Sequence, residues 1–139
     1  MSARLTEQSG QVTTFVVVFA VTVIFVAGLV FDGGYVLAAR RRALNEAEAA
    51  ARVGADALVV DSYRSTGGVE LDPGLAIAAA QGYLAQTGHS GTVRVLGDRV
   101  VVDVSFDQPL QILGVAGIGS MSVSGTGEAR AVRGVEVEQ

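Results

Sequence analysis

The stretch VTTFVVVFAVTVIFVAGLVF, residues Val12–Phe31, decides how the rest of the chain is organised. It carries no charged residue, and about twenty helical residues span ~30 Å, the thickness of a bilayer's hydrocarbon core. Its three threonine hydroxyls can donate to carbonyls one turn back, so they fit a helix in lipid. A secretory signal would have a shorter apolar region and a small-x-small cleavage site, whereas Asp32-Gly33-Gly34 follows here. We therefore predict a membrane anchor that stays with the protein.

Composition narrows the classes of function. The chain has 139 residues, no cysteine, a single histidine and a net charge of -4. Without the anchor, about a hundred residues remain, enough for one small core. A thiolate site and a multi-histidine metal site are excluded, and the acidic distal part argues against nucleic acid as a partner. The pairs Glu46/Glu48 and Asp103/Asp107 are interpreted as surface charge, so we predict no catalytic, cofactor-binding or metal-binding residue, no cofactor and no enzyme activity.

A long helix is predicted to follow the anchor. Asp32 would cap its first turn, and Gly33-Gly34 would allow a bend at a joint on the membrane surface that ends the anchor region, residues 11–34. From Tyr35 to about Ser62 the sequence is rich in strong helix formers. One ridge of this amphipathic helix consists of small residues at i+4 steps: Ala39, Ala43, Ala47, Ala51 and Ala55. Two alternatives are open for this helix-packing surface, namely the protein's own sheet and the helices of neighbouring subunits.

Three consecutive arginines, Arg40, Arg41 and Arg42, come about nine residues after the anchor. That spacing is ~14 Å along a helix, so they are predicted to contact lipid headgroups or to form a solvated patch. The positive-inside rule taken alone would place them in the cytoplasm. Charge counting alone therefore does not decide the orientation.

The distal part is predicted to contain a second helix and three strands. Residues 64–71 form a loop, Asp72 and Pro73 open the second helix, and Gly88 ends it. Alternating valines on either side of Gly97-Asp98 predict a hairpin, and alternation resumes from Ser120 to Arg133. The uncharged segment LQILGVAGIG, residues 110–119, is expected to tuck under the sheet, with contact to a partner or the bilayer as the alternative. His89 is expected to be exposed, and an acidic tail begins at Gly134.

The N-terminal residues resemble a known family. The sequence Gln8-Ser9-Gly10-Gln11-Val12-Thr13 runs into the apolar helix and is followed by Asp32-Gly33-Gly34, Ala-Ala-Arg-Arg-Arg at 38–42 and Ala47-Glu48-Ala49-Ala50-Ala51. This pattern, over roughly residues 8–58, is similar to TadE/TadG-like proteins of the Tad (Flp-type) pilus system. With the elements predicted above, the resemblance indicates a pilin-like α+β fold: a transmembrane helix, a long amphipathic helix, a short helix and a three-stranded antiparallel sheet.

The resemblance also implies a place in the cell. Residues 1–10 would be a cytoplasmic leader, residues 11–34 a single-pass anchor, and residues 35–139 an extracytoplasmic domain. A prepilin peptidase would cut after Gly10 and leave Gln11 as the new N-terminus. Type IV-like pilins carry a glutamate at the fifth residue after this cut, and here that residue is Phe15. An uncut chain would instead be a membrane-resident assembly factor.

Two hypotheses of function follow. The first is a structural or assembly component, a minor pilin or pseudopilin of a Tad-type pilus or related secretion machine. Its partners would be the bilayer, other Tad pilins or pseudopilins, and the inner-membrane assembly platform. The second is a membrane-anchored extracytoplasmic binding module that does not enter a filament.

Overall fold

The structure is a computed structural model that describes the backbone of residues 7–62 and 72–131, and the side chains of residues 11–57 and 72–131. The first six residues of the leader, the predicted loop at 64–71 and the predicted tail lie outside the described residues. The chain forms two compact units. We call Met1–Tyr35 with Pro109–Ser120 the apolar unit, and Val36–Gln108 with Met121–Gln139 the sheet unit.

Helix α1 runs without interruption over Glu7–Ser62 and contains both the apolar stretch and the alanine ridge. Asp32, Gly33 and Gly34 are all helical, so α1 continues through the predicted joint, and a bend at these glycines stays a prediction. A glycine inside a helix costs only about 1 kcal/mol relative to alanine, and strong helix formers follow these two. Asp32 does not cap a new helical turn either, because its carboxylate accepts hydrogen bonds from a distant segment.

The predicted signals of the second helix and the hairpin are confirmed. Helix α2 covers Pro73–Thr87, Asp72 accepts a hydrogen bond from the Gly74 amide at 2.8 Å, and Gly88 ends the helix in the left-handed region. Strands β1, Gly91–Leu96, and β2, Arg99–Pro109, pair antiparallel around Gly97, whose φ is 63°. Asp72 and Gly88 satisfy backbone groups that a helix end leaves free.

Strand β3, Ser120–Arg130, lies beside β2 and gives the sheet order β1-β2-β3. Its direction is antiparallel to β2: the Leu110 amide donates to the Gly119 carbonyl at one end, and the Ala131 amide donates to the Asp98 carbonyl at the other. The α+β class and the three-stranded antiparallel sheet are confirmed. On β2 the alternation buries Val100, Val102 and Val104 and leaves the intervening side chains more accessible, as its period of two predicts.

The core of the sheet unit lies between the alanine ridge and the sheet. All five ridge alanines are at most 4% exposed. A Cβ atom added at Gly125 would lie 2.6 Å from the Ala43 carbonyl carbon, and one added at Gly127 would clash with the backbone of Ala47 and Glu48. The two glycines thus let α1 approach β3 more closely than any side chain would permit. Of the two alternatives for the ridge, the structure places it against the protein's own sheet.

Candidate functional site

The apolar part of α1 exposes nearly all of its large side chains. Fourteen such residues between Val12 and Phe31 are 47–72% exposed. The Thr22 hydroxyl donates to the Val18 carbonyl at 2.8 Å, as predicted for a helix without water to bond its hydroxyls. The helix is long and apolar enough to cross a membrane. An apolar surface of this size calls for an apolar covering, because leaving it in water would cost far more than scattered exposed residues do.

One carboxylate ties a distant loop to the end of this apolar stretch. Asp32 is 1% exposed. Its Oδ1 accepts from the Gln111 amide at 2.9 Å, and its Oδ2 accepts from the amides of Ile112, at 3.1 Å, and Leu113, at 2.7 Å. The partners are 79–81 residues away in sequence, and all belong to the apolar unit.

These three amides lie at the N-terminal end of a short 3-10 helix, Leu113–Ala116, that has no side-chain cap of its own. The capping position is occupied by Ile112, which makes no side-chain capping bond. The first amides of a helix point along its axis without internal partners and carry partial positive charge. Asp32 therefore acts as a cap supplied by another segment, and its negative charge strengthens each of these hydrogen bonds.

A glycine one turn before Asp32 brings the loop against the helix. Gly28 and Asp32 lie on the same face of α1, because four residues make about one turn. A Cβ atom added at Gly28 would lie 2.7 Å from Ile112 Cγ2 and 3.9 Å from Leu113 Cδ2. The loop is thus in van der Waals contact with the apolar stretch itself and not only with its polar end.

The loop presents apolar side chains outward and forms several hydrogen bonds within its own backbone. Val115 is 92% exposed and Ile118 is 52% exposed. The amide of Val115 donates to the Ile112 carbonyl and the amide of Ile118 to the Leu113 carbonyl, both in a short, regular turn closed by Gly117 at φ 93°. The expectation that residues 110–119 tuck under the sheet is therefore wrong. The tether to Asp32 holds them in the apolar unit instead.

In the sheet unit, the side chain of His89 is partly buried, whereas the sequence predicted an exposed one. Its Nδ1 lies 2.8 Å from Glu46 Oε2, and its ring stacks on Phe106 with centroids 4.1 Å apart. The contacts join the turn before β1 to α1 and to β2. A partly buried ring held by a carboxylate and an aromatic face explains why a histidine in a Gly/Ser turn is not simply solvated.

Polar side chains cross the outer face of the sheet. Arg94 Nη2 and Thr126 Oγ1 both donate to the Asp103 carboxylate at 2.6 Å, joining all three strands. The Thr126 hydrogen bond is the largest effect and lowers the pKa of Asp103; burial opposes it, and the hydrogen bond and charge of Arg94 add to the lowering, so the pKa stays below its ordinary value. A shallow, open cleft of about 430 Å³ includes Thr92, Ser105 and Ser124 in its lining.

The predicted cleavage position and the three arginines both lie on α1. Gly10 and Gln11 are in the first turns of α1, and Arg40, Arg41 and Arg42 are exposed. Within residues 11–57 and 72–131, no group of three acidic or histidine side chains is placed to hold a metal ion. The Asp32 tether was not anticipated from the sequence. Its only local signals are an acid directly after an apolar helix and an uncharged loop far along the chain.

Comparison with known proteins finds a family to which part of the chain is similar. Residues 10–57, about a third of the chain, match the Tad family, described as "Putative Flp pilus-assembly TadE/G-like". The resemblance found in the sequence is thereby confirmed for this segment, which contains the apolar stretch, Asp32 and the ridge. No curated protein and no solved structure is significantly similar to the chain. The match supports a role related to pilus assembly.

Proposed function

We propose, on the premise that residues 10–57 form a TadE/G-like segment, that the chain is a minor pilin or pseudopilin of a Tad-type pilus. It acts without catalysis, as a structural or assembly component. Its N-terminus is cytoplasmic, α1 crosses the membrane once, and the sheet unit lies outside. One observation carries the proposal: within the family match, the apolar side chains from Val12 to Phe31 face outward and are free to meet lipid or neighbouring helices.

Burial of the alanine ridge favours a different surface of α1 for these contacts. The alanine ridge is already packed inside the sheet unit, so it is not available to another subunit in this conformation. Packing in a membrane or filament would instead use the exposed surface of residues 12–31. Phe15, at the fifth position after Gly10, is 69% exposed and stacks on Phe19. An apolar contact there would take the place of the amine–glutamate pairing of type IV-like pilins.

The partners that this proposal names are other Tad pilins or pseudopilins, the inner-membrane assembly platform, the bilayer and a prepilin peptidase. Arg40, Arg41 and Arg42 would meet anionic headgroups. The decisive step is the cut after Gly10, because it separates a filament subunit from a membrane-resident assembly factor.

The experiment is the intact mass of the full chain purified from native membranes, with and without the host's prepilin peptidase. A species beginning at Gln11, seen only with the peptidase, is the expected result. A Gly10→Val variant should keep the full-length mass, whereas Gly33→Val, the same change where an added Cβ meets nothing within 4 Å, should be cut normally. A full-length mass of the unaltered chain in both strains would remove the filament subunit and leave a membrane-resident assembly factor.

A second candidate, an anchored binding module, is favoured by the polar cleft on the sheet. A small ligand or peptide segment would meet the Asp103 carboxylate and the hydroxyls around it. A Ser105→Trp change would fill this cleft without touching the core, since Ser105 is exposed. Because this candidate does not enter a filament, the variant should leave pilus assembly normal while the anchored full chain loses binding through the cleft; unchanged binding would overturn the candidate.

A further inference from the structure

We infer that the loop of residues 110–119 is a second membrane contact, which inserts its apolar side chains into the bilayer beside α1. We call this segment the tethered loop. The inference rests on the proposed membrane anchoring and adds to it a site and a ligand, the acyl-chain region of the leaflet nearest Asp32. A membrane anchor requires only a helix, so anchoring by itself does not predict that residues 110–119 contact the bilayer.

The depth of the tethered loop follows from its contacts. Ile112 and Leu113 meet α1 at Gly28, which lies inside the apolar stretch, four residues or ~6 Å before Asp32. A medium that surrounds α1 near Gly28 therefore also contacts the tethered loop, because the loop packs on α1 at this residue. Exposed apolar residues of α1 on both sides of Gly28, such as Phe25 and Leu29, also need an apolar medium around them.

The chemistry of the tethered loop suits that medium. No residue from Leu110 to Gly119 is charged, and Val115 and Ile118 point their side chains away from the protein. Backbone groups in lipid must be satisfied internally. The loop amides at 111–113 donate to Asp32, and those at 110, 115, 117 and 118 donate to carbonyls within residues 112–119.

Without hydrogen-bond partners, the carboxylate of Asp32 would oppose burial of this region in a membrane. A carboxylate without partners is costly to move out of water. Here the carboxylate is nearly inaccessible and receives three backbone amides, two of them at 2.9 Å or less. It is a positioning residue: it neutralises the open end of the 3-10 helix and holds the loop against the anchor.

Lipid is favoured over a second protein chain by continuity of surface. The outward side chains of the tethered loop extend the apolar surface of residues 12–31, which the anchoring proposal already assigns to the bilayer. The two surfaces meet at Gly28 without an intervening charged residue on the loop. A protein partner is the competing outcome, and the experiment is designed to separate it from lipid.

The absence of cysteine from the chain permits a direct test on the full protein. Single cysteines replace Val115, Phe25 and Gln81 in separate variants, each carrying a nitroxide label, in vesicles of phosphatidylcholine and phosphatidylglycerol. The label's collisions with oxygen, which concentrates in lipid, are compared with those of a water-soluble nickel chelate. Phe25 reports the anchor, and Gln81, exposed on α2, reports an ordinary polar surface. We expect the oxygen-to-nickel ratio at Val115 to be several-fold above that at Gln81 and to approach that at Phe25.

Other outcomes separate the two proposals. A nickel-accessible Val115 beside an oxygen-accessible Phe25 overturns the loop contact and leaves the anchor intact. A nickel-accessible Phe25 overturns the anchor itself. Low collision rates of Val115 with both reagents indicate a protein partner and also overturn lipid contact.

An Asp32→Ala change tests the tether independently. Removing the carboxylate should speed hydrogen exchange of the amides at 111–113 by about 10- to 100-fold, as expected for hydrogen bonds to a charged group. It should also lower the oxygen-to-nickel ratio at a labelled Val115. Asp103→Ala, which removes a carboxylate from the sheet unit, should change neither quantity. Unchanged exchange and an unchanged ratio in Asp32→Ala would overturn the role of Asp32.

Discussion

The sheet unit and the apolar unit each place a glycine against a packed neighbour, but the neighbours differ. Gly127 faces the backbone of α1 at Ala47 and Glu48, whereas Gly28 faces the side chain of Ile112. A helix backbone cannot move aside without disturbing the whole core, while a loop side chain can shift locally. The sheet unit is therefore built around a rigid contact, and the apolar unit around an adjustable one.

The same two units treat their large apolar side chains in opposite ways. The sheet unit hides valines between the alanine ridge and the sheet, whereas the apolar unit turns its valines and phenylalanines outward. Burial inside the chain stabilises the sheet unit in any solvent. Burial of the exposed surface depends on what surrounds the protein, so the environment governs the apolar unit. Stability measurements in one unit and lipid measurements in the other should thus respond to different mutations.

The largest expected effect is the loss of the close approach at β3. Gly127→Ala should lower the free energy of unfolding by about 3 kcal/mol, because the added methyl group meets backbone atoms. Gly82→Ala is the matched control: it lies on an exposed face of α2, has nothing within 4 Å, and should gain about 1 kcal/mol. Denaturant unfolding of the full chain in detergent, followed by circular dichroism, measures both. Equal stability of the two variants would contradict the rigid contact.

A smaller effect is expected when a buried valine is shortened. Val102 is fully buried, so Val102→Ala should cost about 2 kcal/mol from lost burial and the cavity left behind. Val115→Ala makes the same change at a residue that is 92% exposed, and it should alter the unfolding free energy by less than about 0.5 kcal/mol. The same denaturation experiment compares them. A large loss from Val115→Ala would mean that the tethered loop supports the fold, which the structure does not predict.

The smallest effect concerns acid stability of the sheet unit. Thr126 and Arg94 hold the pKa of Asp103 below its unfolded value, so the folded state binds this proton less readily. The resulting stabilisation is present above the unfolded pKa and is lost as the pH falls through the folded pKa. Because both side chains of the ion pair are partly exposed, the contribution should stay below about 1 kcal/mol.

Asp103→Asn should therefore reduce stability at neutral pH and flatten the acid side of the stability profile. The comparison is unfolding free energy between neutral and acidic pH for the parent chain, for Asp103→Asn and for Asp107→Asn. Asp107 is an exposed carboxylate on the same strand and serves as the control. If both variants show the same acid dependence, the Asp103 hydrogen bonds have no part in it.

Prediction from sequence was most accurate for elements whose structure is determined by residues within one short segment. Asp72, Pro73 and Gly88 bound α2 because capping depends on neighbouring backbone groups. The Gly97-Asp98 turn and the valine alternation determine the hairpin register within one stretch of chain. The expected cap at Asp32 was wrong because α1 continues through this residue, and its carboxylate accepts hydrogen bonds from amides far along the chain.

By itself, the sequence determined the apolar helix, its outward hydrophobic surface, the second helix, the strands and the family resemblance over the N-terminal segment. Only the tertiary structure decided that Asp32 caps a helix 79–81 residues away, that Glu46 meets His89, and that the alanine ridge is internal. The physical reason is range. Helix periodicity, strand alternation and capping arise from contacts between near neighbours in the chain, so a short stretch of sequence is enough to predict them. The partner of a single carboxylate depends on which distant backbone groups the folded chain leaves unsatisfied.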